Sequence, residues 1–348
     1  MNLSERIERA NELLHPRATP HQGKLGRVYP ESVDERFPFE RDRARIIETN
    51  AFRRMDGKTQ VFVDGVSDHY RNRLTHTLEV ADTSRGMARV LRMNEDLTEA
   101  IALVHDIGHP PFGHQGEEVL NDLLKGKNGF NHNLQGYRIV TRIESPYAGR
   151  DGLNLNQEIT EGMLKNGLKH PLTGQTVTHT LEAKIVDACD RVAYVAHDTQ
   201  DGLSANLFTT EQLAEVPLAR EIMRNVGTTA RAIRAGLLRV FLSDMHHVSE
   251  ATLEGDNPSI RMSAAMAAQR DQLYAFLKQH MYGNPLVHAK RQDGQKMITL
   301  LYRAYVANPP ERVLEMQKKL HCSLERATAD YIAGMSDSFL LSEAAKIA

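Results

Sequence analysis

Residues 103–119, LVHDIGHPPFGHQGEEV, constrain this chain more than any other stretch. Leu97, Ile101 and Val104 recur with helical period, so His105 and Asp106 ride on the end of an apolar helix. Gly108, Pro110 and Pro111 then stop it, because proline cannot donate to the helix ladder and disfavours helical conformation in the residue before it. His105 and His109 are four apart and share a face while the helix lasts. His114 and Glu117 do the same if a second helix starts near Phe112. A lone His-Asp pair is ordinarily a capped helix end. Here the further polar groups His109, His114, Glu117 and Glu118 follow within a few turns, among glycines and prolines, and that density marks a site.

The rest of the chain sets bounds on that site. At 348 residues it can bury a substantial core, as one large domain or as a domain with a sizeable extension. A net charge of -2 gives no global attraction for nucleic acid. Cys189 and Cys322 form no disulfide framework and fit a reducing compartment. The opening MNLSERIERANELL lacks the continuous apolar core of a signal peptide, and no later stretch reads as a membrane span. The expectation is a cytoplasmic protein with no membrane partner.

In chain order, residues 1–14 read as a short amphipathic helix and 15–39, rich in Pro and Gly, as an irregular arm. Positive charge then gathers at Arg36, Arg41, Arg43, Arg45, Arg53, Arg54 and Lys58, either as a solvated helix face or as a phosphate-facing surface. Residues 59–66, TQVFVDGV, alternate around an Asp-Gly turn and predict a small hairpin. Residues 73–91 predict a helix with Leu74, Leu78, Ala81, Ala88 and Leu91 as its buried stripe, and with Arg73 and His76 pointing one way.

After residue 120 the chain loosens through FNHNLQG and resumes helix near Tyr137, and residues 146–156 read as a polar loop. Residues 181–203 predict a long helix whose apolar face is Leu181, Ile185, Cys189, Val192 and Ala196. Opposite runs a polar stripe of Asp187, Asp190, Arg191, Tyr194, Asp198 and Asp201, flanked by apolar residues that bury much of it. Buried carboxylates need a cation or donors. The remainder predicts further helices at 211–242, 264–281, 294–306, 310–320 and 324–335, with a break at 253–258, and Arg231, Arg234 and Arg239 read as surface residues. The expected class is all-α.

His76, His105-Asp106 and Asp190 supply two imidazoles and two carboxylates from three helices. Such a thiolate-free set suits a six-coordinate divalent ion with positions open to water and phosphate.

This H…HD…D order resembles the HD-domain metal-dependent phosphohydrolases, and more narrowly the deoxynucleoside triphosphate triphosphohydrolases. The segments RDRARIIETNAFRRMDGKTQVF, HYRNRLTHTLEVA, HDIGHPPFGHQGE, FNHNLQG and EAKIVDACDRVAYVAHD carry the resemblance across residues 41–203, whereas the rest matches loosely, chiefly at LYAFLKQHMYGNPLV. It implies an HD helical core at 41–205, after an arm at 1–40 and before a C-terminal helical region at 206–348 packed on the core.

It also implies metal ligation by His76, His105, Asp106 and Asp190, with Mn, Fe, Mg, Co or Ni as the divalent ion. His114 would be the catalytic histidine, with Glu117 orienting it. Arg73 would hold the α-phosphate, His109 and His132 would stand near the phosphates, and Arg191 would be a less secure phosphate contact. Tyr194 would pack under the sugar, with Asp198 and Gln60 reaching its 3′-hydroxyl. Lysine at the place of His109, as in cyclic-dinucleotide phosphodiesterases of the superfamily, is missing here. So is the Glu-Asp pair of the guanosine-tetraphosphate hydrolases.

The expected reaction is conversion of a dNTP to deoxynucleoside and tripolyphosphate, since a histidine acid suits protonation of a departing 5′-alkoxide. The basic run at 36–58 argues for a triphosphate. Two other readings stand beside it, a 5′-deoxynucleotidase and a non-catalytic protein that binds nucleotide or single-stranded nucleic acid. A homo-oligomer is expected.

Overall fold

A computed structural model describes residues 1–32, 34–60, 71–164, 167–171 and 173–347, with backbone alone for 286–291. The structure is 65% helical, as expected, and the described residues show only isolated β-bridges such as Thr59 with Asn72. The hairpin expected at 59–66 lies, beyond Gln60, outside the described residues. Cys189 and Cys322 are both free thiols. No helix is long and apolar enough to cross a membrane among the described residues.

Four helices frame the site. Arg73–Val90 starts where Asn72 accepts the Thr75 N–H, and Glu95–Val104 where Asn94 accepts that of Leu97. Leu181–Ser204 is capped by Thr180. Such side-chain oxygens satisfy amide groups that the first turn of a helix leaves unpaired. Gly113–Leu123 differs, since its N-cap Phe112 is left-handed and makes no side-chain cap.

Apolar residues gather on both sides of this frame. One core joins Ile46, Leu97, Ile101 and Val104 to Val80 and Val186. A second joins the Ile185, Cys189, Val192 and Ala196 face to Leu237, Phe241 and Leu273 of the helices Ala230–Leu253 and Ala264–Leu277. A third packs Phe112 and Leu120 against Ile298, Leu301 and Leu340. Residues after 206 therefore build two of the three walls around the central helices.

Several sequence expectations shift. Leu78 is 48% exposed, whereas Arg73, His76, Thr77 and Ser84 are buried beside Val80, Ala81, Met87 and Ala88, so the inward face of Arg73–Val90 is half polar. The second helix after the His-Asp segment does start near Phe112, at Gly113. Helix resumes earlier than expected, inside the FNHNLQG segment, at His132 under an Asn131 cap. Helix Pro285–Ala307 likewise begins before residue 294, and Asp337–Ala345 is a helix the sequence pattern did not disclose.

The arm before Pro38 is irregular, yet it is tied down. Glu182 accepts the Thr19 N–H at 2.8 Å and its hydroxyl at 2.9 Å, and Glu158 accepts the Leu25 N–H at 2.8 Å. The basic run fits neither alternative. Arg41 and Arg45 close on Glu31, Arg43 on Glu99, Arg36 on Asp34 and Arg54 on Glu144, while Lys58 donates to backbone carbonyls. Of that run only Arg53 is plainly exposed and without such a partner among the described residues. These guanidinium groups neutralise carboxylates of the protein itself, which removes the run as an argument for a triphosphate ligand.

Candidate metal centre and active site

The end of Glu95–Val104 delivers His105 as its C-cap, and the His105 Nδ1–H donates to the Ala102 carbonyl at 2.6 Å. A carbonyl can only accept, so the bond fixes the tautomer and leaves the Nε2 lone pair facing inward. That Nε2 is buried and has no hydrogen-bond partner. It lies 3.4 Å from Asp106 Oδ1 and 3.7 Å from Asp190 Oδ1, and Asp190 Oδ1 lies 3.0 Å from His76 Nε2. His76 comes from Arg73–Val90 and Asp190 from Leu181–Ser204, so three helices converge on one point.

Ligand atoms of His76, His105 and Asp190 lie within 4.8 Å of one another. Asp106 borders this trio, and its Oδ2 accepts from Arg73 Nη1 at 2.5 Å. Burial works against a charged His105, but Asp106 and Asp190 outweigh it and push the imidazole up to about 9. Burial likewise opposes ionisation of Asp190, and the nearby His105 imidazole and the His76 hydrogen bond overcome it and hold the carboxyl far below its usual range. The local field thus favours positive charge at the meeting point. An orphaned imidazole nitrogen and two buried carboxylates fit a divalent cation.

A second cluster stands across Arg73 and Asp106. His109, His114, Glu117 and His132 bring their ligand atoms within 4.8 Å of one another. His114 Nδ1 donates to Glu117 Oε2 at 3.2 Å and His132 Nδ1 donates to the same oxygen at 2.8 Å. The His132 N–H donates to Glu117 Oε1 at 2.8 Å. Burial pushes the Glu117 carboxyl up, and the His114 and His132 hydrogen bonds more than reverse this, so it stays ionised. The His109 and His132 rings stack at 3.8 Å. Burial, and next the Arg73 charge, hold His109 well below the usual imidazole range and therefore neutral near pH 7. His114, by contrast, is 65% exposed.

Asp190, Tyr194 and Asp198 recur every four residues and share a face. Tyr194 faces the Tyr282 ring at 5.9 Å, and the Tyr282 hydroxyl donates to Asp198. Arg191 is 57% exposed and donates to Asp187 one turn back, at 2.6 Å. It is the one expected phosphate contact that turns to solvent. Gln60 has a buried Oε1 without a hydrogen-bond partner, and its carbonyl oxygen would lie 3.9 Å from a Cβ built on Gly113.

Sequence reasoning missed several neighbours of these groups. The His197 ring meets that of His76 edge-on at 5.7 Å, and its Nε2 lies 2.9 Å from Glu79. Asn133, one residue beyond His132 in the quoted FNHNLQG segment, borders with His105 and Asp190 a cavity of about 40 Å³. Tyr282 comes from the loosely matching region. Lys58, last of the basic run, turns inward instead, and its Nζ lies 2.6 Å from the His109 carbonyl.

Helix-borne histidines and aspartates around one cation-favouring point define an HD phosphohydrolase, and residues 73–195 match the HD domain. Residues 260–346 match the phosphohydrolase-associated domain. The chain is 40% identical to a deoxyguanosinetriphosphate triphosphohydrolase-like protein of Geobacter sulfurreducens, over 91% of this chain and 90% of the relative. Proteins of that description from Geobacter metallireducens, 39% identical over 91% of this chain and 90% of the relative, and from Brucella suis, 38% identical over 91% of each, are similar. The chain belongs to the HD-domain family of deoxyguanosinetriphosphate triphosphohydrolase-like proteins.

Proposed function

We propose that the protein hydrolyses deoxynucleoside triphosphates to deoxynucleoside and tripolyphosphate. One observation carries this reading. A cation-favouring cluster, His76, His105 and Asp190, stands beside a proton-handling cluster, His114, Glu117 and His132, with the Arg73–Asp106 pair between them. The relatives' names supply the triphosphate and the deoxynucleoside.

His76, His105, Asp106 and Asp190 would hold the divalent ion, which when bound would supply Lewis-acid charge toward a phosphate and lower the pKa of water. Arg73, fixed by Asp106 and by the Thr59 carbonyl at 3.2 Å, presents its guanidinium to the α-phosphate beside that ion. His109 is neutral and buried, so it hydrogen-bonds a phosphate oxygen and does not serve as the acid. His114 engages Glu117 through Nδ1, which leaves Nε2 to carry a proton to the departing 5′-oxygen. Glu117 stays ionised, accepts the His114 Nδ1–H and so orients the ring. Tyr194, Asp198 and Gln60 wall the sugar.

With the basic run engaged internally, the test must compare triphosphates with monophosphates. All four dNTPs and dNMPs, singly and in mixtures, are incubated with Mn²⁺, Mg²⁺ or Co²⁺ and the products identified. Deoxynucleoside with tripolyphosphate is expected. Turnover of monophosphates alone would make it a 5′-deoxynucleotidase, and binding without turnover would make it a nucleotide-binding protein.

A further inference from the structure

The turn that leads into His114 is held by the far end of the chain. Phe112 and Gly113 both have φ of 59°, in the left-handed region that a phenylalanine enters only at a cost. The helix they open has no side-chain cap of its own, so tertiary contacts must fix the turn. Asp337, 1% exposed, accepts the Phe112 N–H on Oδ1 at 3.0 Å. Its Oδ2 accepts the Thr59 N–H at 3.0 Å and the Thr59 hydroxyl as well. Lys58, 2% exposed, donates from Nζ to the His109 carbonyl at 2.6 Å and to the Ala333 carbonyl at 2.9 Å. A third hold is steric, since a Cβ on Gly294 would come within 2.6 Å of the Phe112 ring.

The segment from His109 to Phe112 is therefore tied at both ends, at its first carbonyl by Lys58 and at its last amide by Asp337. Both ties run to the C-terminal helices. A buried lysine and a buried aspartate are a poor source of net stability, because desolvation offsets their attraction, but they do specify one conformation.

We propose that Asp337 and Lys58 are positioning residues for His114, and that the C-terminal helices thereby form part of the catalytic apparatus. This rests on the reading of His114 as the acid. Asp337 sets the backbone from which His114 projects and touches none of His76, His105 or Asp190, although its second oxygen also holds Thr59, whose carbonyl accepts from Arg73.

The test is a double-mutant cycle on the full chain, with Asp337→Asn made in the wild-type and His114→Ala backgrounds. The variant keeps size and loses one acceptor oxygen. In the wild-type background kcat should fall roughly tenfold to hundredfold, the range for a slightly misplaced catalytic group. Bound metal should hold, and the limb of the kcat–pH profile that disappears in His114→Ala should move. In the His114→Ala background the same change should cost less than about twofold, because the affected route is already gone.

Equal losses in both backgrounds, an unchanged kcat, or loss of metal would overturn the proposal. If Asp337→Asn does not fold, Gly294→Ala presses on the same turn from the other side with every buried charge intact. It should give the same background-dependent loss, and a wild-type kcat would count against the proposal equally. A wild-type protein that releases no tripolyphosphate would sink the functional reading itself, whereas active wild type with background-independent losses sinks this inference alone.

Discussion

His114 and His109 are both imidazoles within one short segment, and their surroundings give them different chemistry. His109 is buried beside Arg73 and held neutral, whereas His114 is exposed and rests on an ionised Glu117. On this account His114→Ala should keep its bound metal and bind nucleotide, yet slow the chemical step by roughly 10²- to 10⁴-fold. Asp190→Ala, by contrast, should lose the metal. Single-turnover rates combined with elemental analysis separate the two, and near wild-type chemistry in His114→Ala would move the acid elsewhere. Much of this was legible in sequence, because the histidines and carboxylates are crowded on both sides of two prolines at the end of an apolar helix. Asp190 was legible only as one carboxylate in a buried stripe, and family resemblance singled it out. Lys58 and Asp337 gave no local sign, since their partners lie more than two hundred residues away along the chain in several contacts.

At the scale of elements, helix existence followed periodicity, while helix orientation sometimes did not. Leu78 is turned to solvent because Arg73 and His76 turn inward to Asp106 and Asp190, and those polar contacts outweigh the burial of one leucine. The basic run shows the limit of reading charge from composition. Arg27, Arg41, Arg45 and Arg150 surround Glu31, whose side chain is only 8% exposed. Burial alone would raise that carboxyl, but hydrogen bonds from Arg45 and Asn154 and the charges of Arg45 and Arg27 hold it down at about 2.

A depressed carboxyl contributes stability that is present above its ordinary value of 4.5 and is lost as pH falls toward about 2. Glu31→Gln should therefore lower stability near neutrality, by about 2 kcal/mol once solvent screening is allowed for. The gap from wild type should close as pH drops through that window, as followed by denaturant unfolding. A gap that stays constant down to pH 2 would show that the loss comes from packing.

Across the whole molecule, the HD segment supplies the clustered histidines and carboxylates, and the later helices supply two walls and hold the turn before His114. The all-α class was legible because helical patterning runs through most of the chain with few strand signals. The way the C-terminal third grips the active segment was not, because that grip depends on single buried polar contacts and not on any repeating pattern. The central claim is that water attacks the α-phosphorus and the 5′-oxygen departs with a proton from His114. It is tested most directly by running the reaction in ¹⁸O-enriched water and weighing both products. Unlabelled deoxynucleoside and tripolyphosphate carrying one heavy oxygen are expected. Label in the deoxynucleoside, or formation of deoxynucleoside monophosphate with pyrophosphate, would contradict it.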